Sequence, residues 1–344
     1  ILSHGFWQRV YGGRDDAIGQ DAGTFAGTAP LAIAITDDAL GTETITLTGA
    51  AIGDSAQTRN FDKAGNNLGN ALWIGGSAVL DASGQAYGAL DRYGRAYGVA
   101  GNGGAITLDG ATSFVIVRPG AQLNADGAAQ TVDMAAGQDR GVAQVPLTLA
   151  GNGGSIVFSS GSGLYLNGDF HAHGAGPGAA GGSLSVTLRT LSYKVEPSYT
   201  IPDSVLVPST MVVTQAAAAD VLPADQAPGQ ATGLNFGYSA LGADQVRAGG
   251  FDALSLYSGD YMQFQGDVSL DLARSVSLSA ASFTSGPPAS FTVPEPLGTA
   301  PAVIDPSTPT ATGNVRIAAP YVHLTGVNTA IPDGSVSGSA GNPM

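Results

Sequence analysis

The chain has 344 residues, of which 12% are charged and 43% hydrophobic, with a formal net charge of -14, 51 glycines and no cysteine. Only 13 scattered Lys and Arg stand against 27 Asp and Glu, which excludes nucleic acid as a partner because neutralising phosphates needs clustered cations. The absence of Cys excludes disulfides, thiolate nucleophiles and Cys-ligated metals, and apolar content this high separates the chain from disordered Gly-rich sequences.

Residues 1–30 are weakly patterned, with Phe6, Trp7, Val10 and Tyr11 as anchors, and read as loop or edge. Strands are predicted over 31–35 and 44–48, separated by the turn-like run from Asp37 to Gly41. An exposed loop fills 53–70, after which 71–74 and 78–80 resume the strand pattern. The clearest signal lies from Gly101 to Leu188: Gly-Asn-Gly-Gly-Ala-Ile-Thr-Leu from Gly101 returns as Gly-Asn-Gly-Gly-Ser-Ile-Val-Phe from Gly151 and Gly-Gly-Ser-Leu-Ser-Val from Gly181. An excursion from Gly127 to Gly141, carrying Asp133, Met134, Asp139 and Arg140, interrupts it. In the run Leu164 to Ala172, a period of two puts Leu164, Leu166, Phe170 and Ala172 on a core face and the others toward solvent.

Residues 189–235 are punctuated by Pro197, Pro202, Pro208, Pro223 and Pro228, with one helical hint over 214–221. Strands return at 251–257, 262–264, 268–272 and 275–278, a second Pro-rich excursion spans 287–309, and a last pair of strands covers 315–324. Three segments follow: 1–188 as strands with Gly-rich loops, 189–249 as a Pro-rich insertion or small subdomain, and 250–344 as strands, excursion and tail. A repeated unit of roughly 20 to 27 residues that cannot bury its apolar face alone is the grammar of a β-solenoid, so the predicted fold is all-β, a parallel β-helix.

Several phrases carry a family likeness. The stretch from Gly250 to Leu324, with Gly-Asp-Val-Ser-Leu, Ala-Arg-Ser-Val-Ser-Leu-Ser-Ala and Ala-Ala-Pro-Tyr-Val-His-Leu, resembles the large filamentous haemagglutinin-family exoproteins of Gram-negative bacteria. The endings Ser-Ala-Val-Leu-Asp-Ala-Ser-Gly (77–84) and Pro-Gly-Ala-Gln-Leu-Asn-Ala-Asp-Gly (119–127) are similar to that family's strand endings. The resemblance implies a right-handed β-helix exported unfolded through an outer-membrane two-partner secretion transporter and displayed at the cell surface. It implies adhesion or biofilm formation, through host-cell or matrix glycans or proteins, or through neighbouring bacterial cells, and it makes the chain an internal or carboxy-terminal section. Exposed solenoid ends are expected to self-associate unless covered. Two alternatives stay open: an extracellular polysaccharide lyase or hydrolase on the same scaffold, and the stalk of a contact-dependent toxin delivery protein.

Neither catalytic nor cofactor residues are assigned. Asp169, His171 and His173, at i, i+2 and i+4 of one strand, can chelate Zn or Cu or can form a plain polar outer face. The carboxylate pairs Asp15 with Asp16, Asp37 with Asp38 and Asp260 with Asp267 suit hydrolysis or Ca binding, yet sit where Asp favours turns. Tyr87, Tyr93 and Tyr97, with Arg92 and Arg95 between them, either stack on sugar rings or anchor a protein, or pack back against the body. The four His, His4, His171, His173 and His323, accompany no nucleophile motif.

Overall fold

The computed structural model describes residues 32–34, 44–49, 68–135, 144–189, 192–194, 208–285, 291–292, 303–304, 313–326 and 335–337. Among them strand predominates and helix is nearly absent, and the parallel strands gather in three main sheets. The first sheet has seven strands in chain order: Thr44–Thr48, Ala105–Asp109, Ser155–Ser160, Gly182–Leu188, Phe251–Ser258, Ser275–Ala280 and Tyr321–Gly326. The third has Ala32–Ala34, Val79–Asp81, Gln122–Asn124 and Asp169–His171 in the same order, while Val268–Asp271 pairs with Val315–Ala318. No helix among the described residues is long and apolar enough to cross a membrane.

Alternation explains the first sheet. Ser155–Ser160 and Ser275–Ala280 bury every second residue, so Ile156, Phe158, Ser160, Val276, Leu278 and Ala280 point inward, and Val157 with the remaining serines points outward. Past one irregularity at Gly182/Ser183, the apolar positions pair in register across all seven strands. Ile45, Ile106, Ile156, Leu184, Leu254, Val276 and Val322 form one inward column, and Leu47, Leu108, Phe158, Val186, Leu256, Leu278 and Leu324 form the next. Each side chain of the interior strands is covered by its counterparts on the flanking strands, and these columns join residues of the other two sheets in one core.

The repeated Gly-Asn-Gly-Gly phrase sits where consecutive strand sets are tied together. The Asn102 side chain accepts the backbone N–H of Asn152 at 2.8 Å, and the Asn152 side chain accepts that of Ala180 at 2.8 Å. A Cβ on Gly153 would stand 1.9 Å from the carbonyl oxygen of Ala172, so only glycine admits this approach.

The second sheet, Ala71–Ile74, Phe114–Val117, Gly163–Leu166, Tyr238–Gly242, Thr210–Thr214, Tyr261–Gln265 and Ser282–Ser285, departs from chain order. Thr210–Thr214 is wedged between Tyr238–Gly242 and Tyr261–Gln265, parallel to both. The stretch that reads as a Pro-rich insertion thus contributes two sheet strands. The helix expected over 214–221 is absent, because the backbone of Thr210–Thr214 is paired on both sides and the chain beyond it runs irregularly. A helix forms instead at Ala243–Ala248, whose Ala243 and Val246 are buried. It touches Asp169–His171 of the third sheet and Val268–Asp271 of the separate two-stranded pair.

The expected solvent face of 164–166 is also overturned. Every residue of Phe114–Val117 and Gly163–Leu166 is buried, on both sides of the sheet. Segment 215–237 covers the outer side: Arg118 donates to the Pro223 carbonyl at 2.9 Å and pairs with Asp220 at 3.3 Å, and Asn167 donates to the Ala218 carbonyl at 2.9 Å. The Phe114 and Phe236 rings lie 5.3 Å apart.

Leu278 and Leu324 share one column, but Leu278 is 0% exposed and Leu324, on the last strand of the sheet, 57%. Leu278→Ala is expected to lower unfolding stability by about 2–5 kcal/mol and Leu324→Ala by under about 1 kcal/mol, read by urea denaturation.

Candidate functional site

Two antiparallel hairpins leave the parallel framework on one flank, and they hold the tyrosine cluster. Ala86–Leu90 pairs with Ala96–Ala100, and Ala129–Ala135 pairs with Gln144–Ala150. The first strand of the second pair lies in the excursion expected at 127–141, so residues 129–135 are strand. The hairpins lie against each other, and the Ala96 N–H donates to Asp133 at 2.7 Å.

Alternation of Tyr with Gly makes this contact one-sided. Tyr87, Ala89, Tyr97 and Val99 share one face of the first hairpin, and Gly88 and Gly98 the other. A Cβ on Gly88 would fall 2.4 Å from the Gln130 amide nitrogen, so the glycine face lies directly on the second hairpin. The tyrosine face stays open: Tyr87 is 44% exposed and Tyr97 57%, with Val99 beside them. The reading in which these tyrosines pack back against the body is therefore corrected; the glycines take that contact.

The tip between these strands is a tight turn held by Asp91, whose carboxylate accepts the N–H groups of Tyr93 at 2.7 Å and Arg95 at 2.9 Å. The backbone N–H of Arg95 foremost, then that of Tyr93 and the Arg95 charge, hold the Asp91 carboxyl below the usual carboxylate range. Tyr93, 66% exposed, projects with the guanidinium groups of Arg92 and Arg95 4.7 and 5.3 Å from its ring centre. The tip thus presents open aromatic rings beside two cations, with the carboxylates of Asp91 and Asp133 tied to backbone N–H groups next to them.

The histidine strand behaves partly as expected. Asp169, His171 and His173 lie on the outer face, with Phe170 and Ala172 buried between them. The three donor groups that come together are, however, Asp126, His171 and His173, all within 4.8 Å of one another. Asp126 replaces Asp169 in the cluster because Gln122–Asn124 pairs in register with Asp169–His171, setting Asn124 beside His171. The next outward position then brings Asp126 beside His173. The Asp126 carboxylate accepts the His173 N–H at 2.6 Å and lies 3.2 Å from its Nδ1, and the two imidazoles stand edge to face at 5.6 Å. Aligning Gln-Leu-Asn-Ala-Asp-Gly of 122–127 with Asp-Phe-His-Ala-His-Gly of 169–174 is the sequence signal that finds Asp126.

The remaining candidates are separated or structural. Asp260 is buried and accepts the Ser209 N–H at 2.8 Å, whereas Asp267 accepts the N–H of Asn314 at 2.8 Å, so each ties a backbone group and they form no catalytic pair. His323 points outward beside Thr325. His4, Asp15, Asp16, Asp37, Asp38, Asp139 and Arg140 lie outside the described residues.

A shallow dent of about 10 Å³ under segment 215–237, room for a single water, is lined by Leu164, Tyr165, Val221 and Tyr238 among others, none of them a carboxylate. Burial pushes the Tyr165 hydroxyl up to about 12 and raises Tyr238 too, which keeps both protonated at neutral pH. Tyr165 acts structurally, accepting the Asn235 N–H at 2.7 Å and donating to the Gly233 carbonyl at 3.3 Å. Comparison with known proteins gives no match: no family model, no curated protein and no solved structure is similar to this chain.

Because the folded-state pKa of Tyr165 is raised from 10.0 to about 12, the stability tied to its neutral form is complete below pH 10 and is lost as pH rises through 12. Tyr165→Phe is expected to cost about 0.5–1.5 kcal/mol at pH 7 and to make the stability loss between pH 10 and 12 shallower, measured by urea unfolding across that range.

Proposed function

We propose that this chain is a non-enzymatic section of a secreted, cell-surface filament, and that its hairpin tip binds acidic carbohydrate on a host surface or neighbouring cell. The three parallel sheets are read as the faces of one right-handed parallel β-helix. In-register columns running through seven strands, the Asn ladder between repeats and the single shared core support that reading. The resemblance to filamentous haemagglutinin-type exoproteins supports export through an outer-membrane two-partner secretion transporter, with adhesion or biofilm formation as the role.

The observation that carries the binding reading is the open Tyr87, Tyr97 and Tyr93 surface beside Arg92 and Arg95. Leaving large aromatic rings in water is unfavourable, and here two glycines turn the opposite face inward so that the rings stay out. Flat rings stack on sugar faces, and guanidinium groups pair with carboxylate or sulfate through two parallel hydrogen bonds.

Retention on an array of acidic and neutral glycans tests the proposal. The wild-type chain is expected to hold acidic glycans without cleaving them, and Tyr87→Ala/Tyr97→Ala to lose about tenfold or more in affinity with an unchanged circular dichroism spectrum. Cleavage of any polysaccharide, equal retention by the double variant, or binding confined to protein ligands would overturn it.

A further inference from the structure

We propose that Asp126, His171 and His173 form a binding site for a divalent transition ion of the zinc class. Two imidazoles and one carboxylate are a common ligand set for Zn²⁺, with bonds of about 2.0–2.2 Å. Such bonds arranged tetrahedrally set donor atoms roughly 3.3–3.6 Å apart. The Asp126 carboxylate and His173 Nδ1, at 3.2 Å, stand just inside this separation, and all three donors lie within 4.8 Å of one another. A rotation of the His171 ring, on the outer face of its strand, closes the rest. Two nitrogen donors argue against Ca²⁺ and Mg²⁺, which take oxygen.

The site is built by the backbone and not by loose surface side chains. The His173 N–H donates to Asp126, the Gly127 N–H donates to the His173 carbonyl at 2.9 Å, and the Ala125 N–H to the His171 carbonyl at 2.7 Å. These bonds lock the segments bearing the ligands side by side, which lowers the ordering cost of binding. From the other side Gly250 lies against the His173 ring: a Cβ there would fall 2.3 Å from the imidazole. Of the four His in the chain, two are thus brought to one carboxylate by strand register. The side chains of Asp126 and His173 keep 35% and 47% of their exposure, so an ion held here has a coordination position open to water or to a donor from a partner. It would also clamp two neighbouring strands of the third sheet.

The test is Zn²⁺ titration of the chelator-stripped full chain by calorimetry, with Co²⁺ absorption reporting tetrahedral coordination. One ion per chain is expected, along with a Zn²⁺-dependent rise in the thermal unfolding midpoint. His171→Ala, His173→Ala and Asp126→Asn should each weaken binding by at least about tenfold and reduce that rise, with circular dichroism unchanged. Asp169→Asn should bind as wild type, and millimolar Ca²⁺ or Mg²⁺ should not compete. Binding that is absent, or that survives in the His171→Ala/His173→Ala double variant, overturns the site; loss on Asp169→Asn alone overturns this choice of ligands.

Discussion

Everything in this molecule rests on the in-register stacking of parallel strands whose inward side chains are covered only by their counterparts on the strands above and below. A strand such as Ser155–Ser160 is too short to hide Ile156 and Phe158 by itself. Between Ile106 and Leu184 on one column, and Leu108 and Val186 on the other, both become fully buried. Register is therefore specified twice, by the backbone ladder and by the apolar columns, since a slip of one residue would turn Ile and Phe outward and Ser inward. The Asn102 and Asn152 side chains repeat the same register at the turns, and glycines let carbonyl groups approach where any Cβ would collide.

The same constraint decides where surface chemistry can appear. Along the stacked strands, outward positions fall into columns, so a residue's neighbours on the surface lie one repeat away in sequence. That is how Asp126 reaches His173 across 47 residues. At the turns the chain is free to leave the stack, and the two antiparallel hairpins do so there, the glycine face of one lying on the other while its tyrosines remain open. Segment 215–237 uses this freedom differently, folding back to cover the second sheet and bury Tyr165 and Arg118.

What the sequence showed and what it hid follow from the range of the interactions. The alternation of Ile106 with Leu108 and of Val276 with Leu278 is local, and those strands were legible, as was the placement of Phe170 and Ala172 in the core. Tyr165 carries no local mark of burial, because its cover is supplied by Gly233 and Asn235, about seventy residues on. The wedging of Thr210–Thr214 between two later strands breaks chain order, and a pattern read along the chain cannot reveal it. The His-x-His pair was visible, but its third partner was assigned to Asp169 on the same strand; strand pairing supplies Asp126 instead. In the Tyr-Gly phrase the Tyr and Arg carry the visible chemistry, but Gly88 and Gly98 decide which way the rings face.

Register can be measured directly, since the chain has no cysteine and any engineered pair is unambiguous. Ser185 and Ser255 are partners on adjacent strands of the first sheet, and Ser255 in turn is the partner of Ser277. Disulfide trapping of Ser185→Cys/Ser255→Cys is predicted to give a rapid intramolecular bond, because adjacent strands lie about 4.8 Å apart, within disulfide reach. Ser185→Cys/Ser277→Cys, two strands apart at about 9.6 Å, should stay reduced. Efficient bonding of the second pair, or none of the first, would contradict the stacked register on which the fold and both surface sites depend.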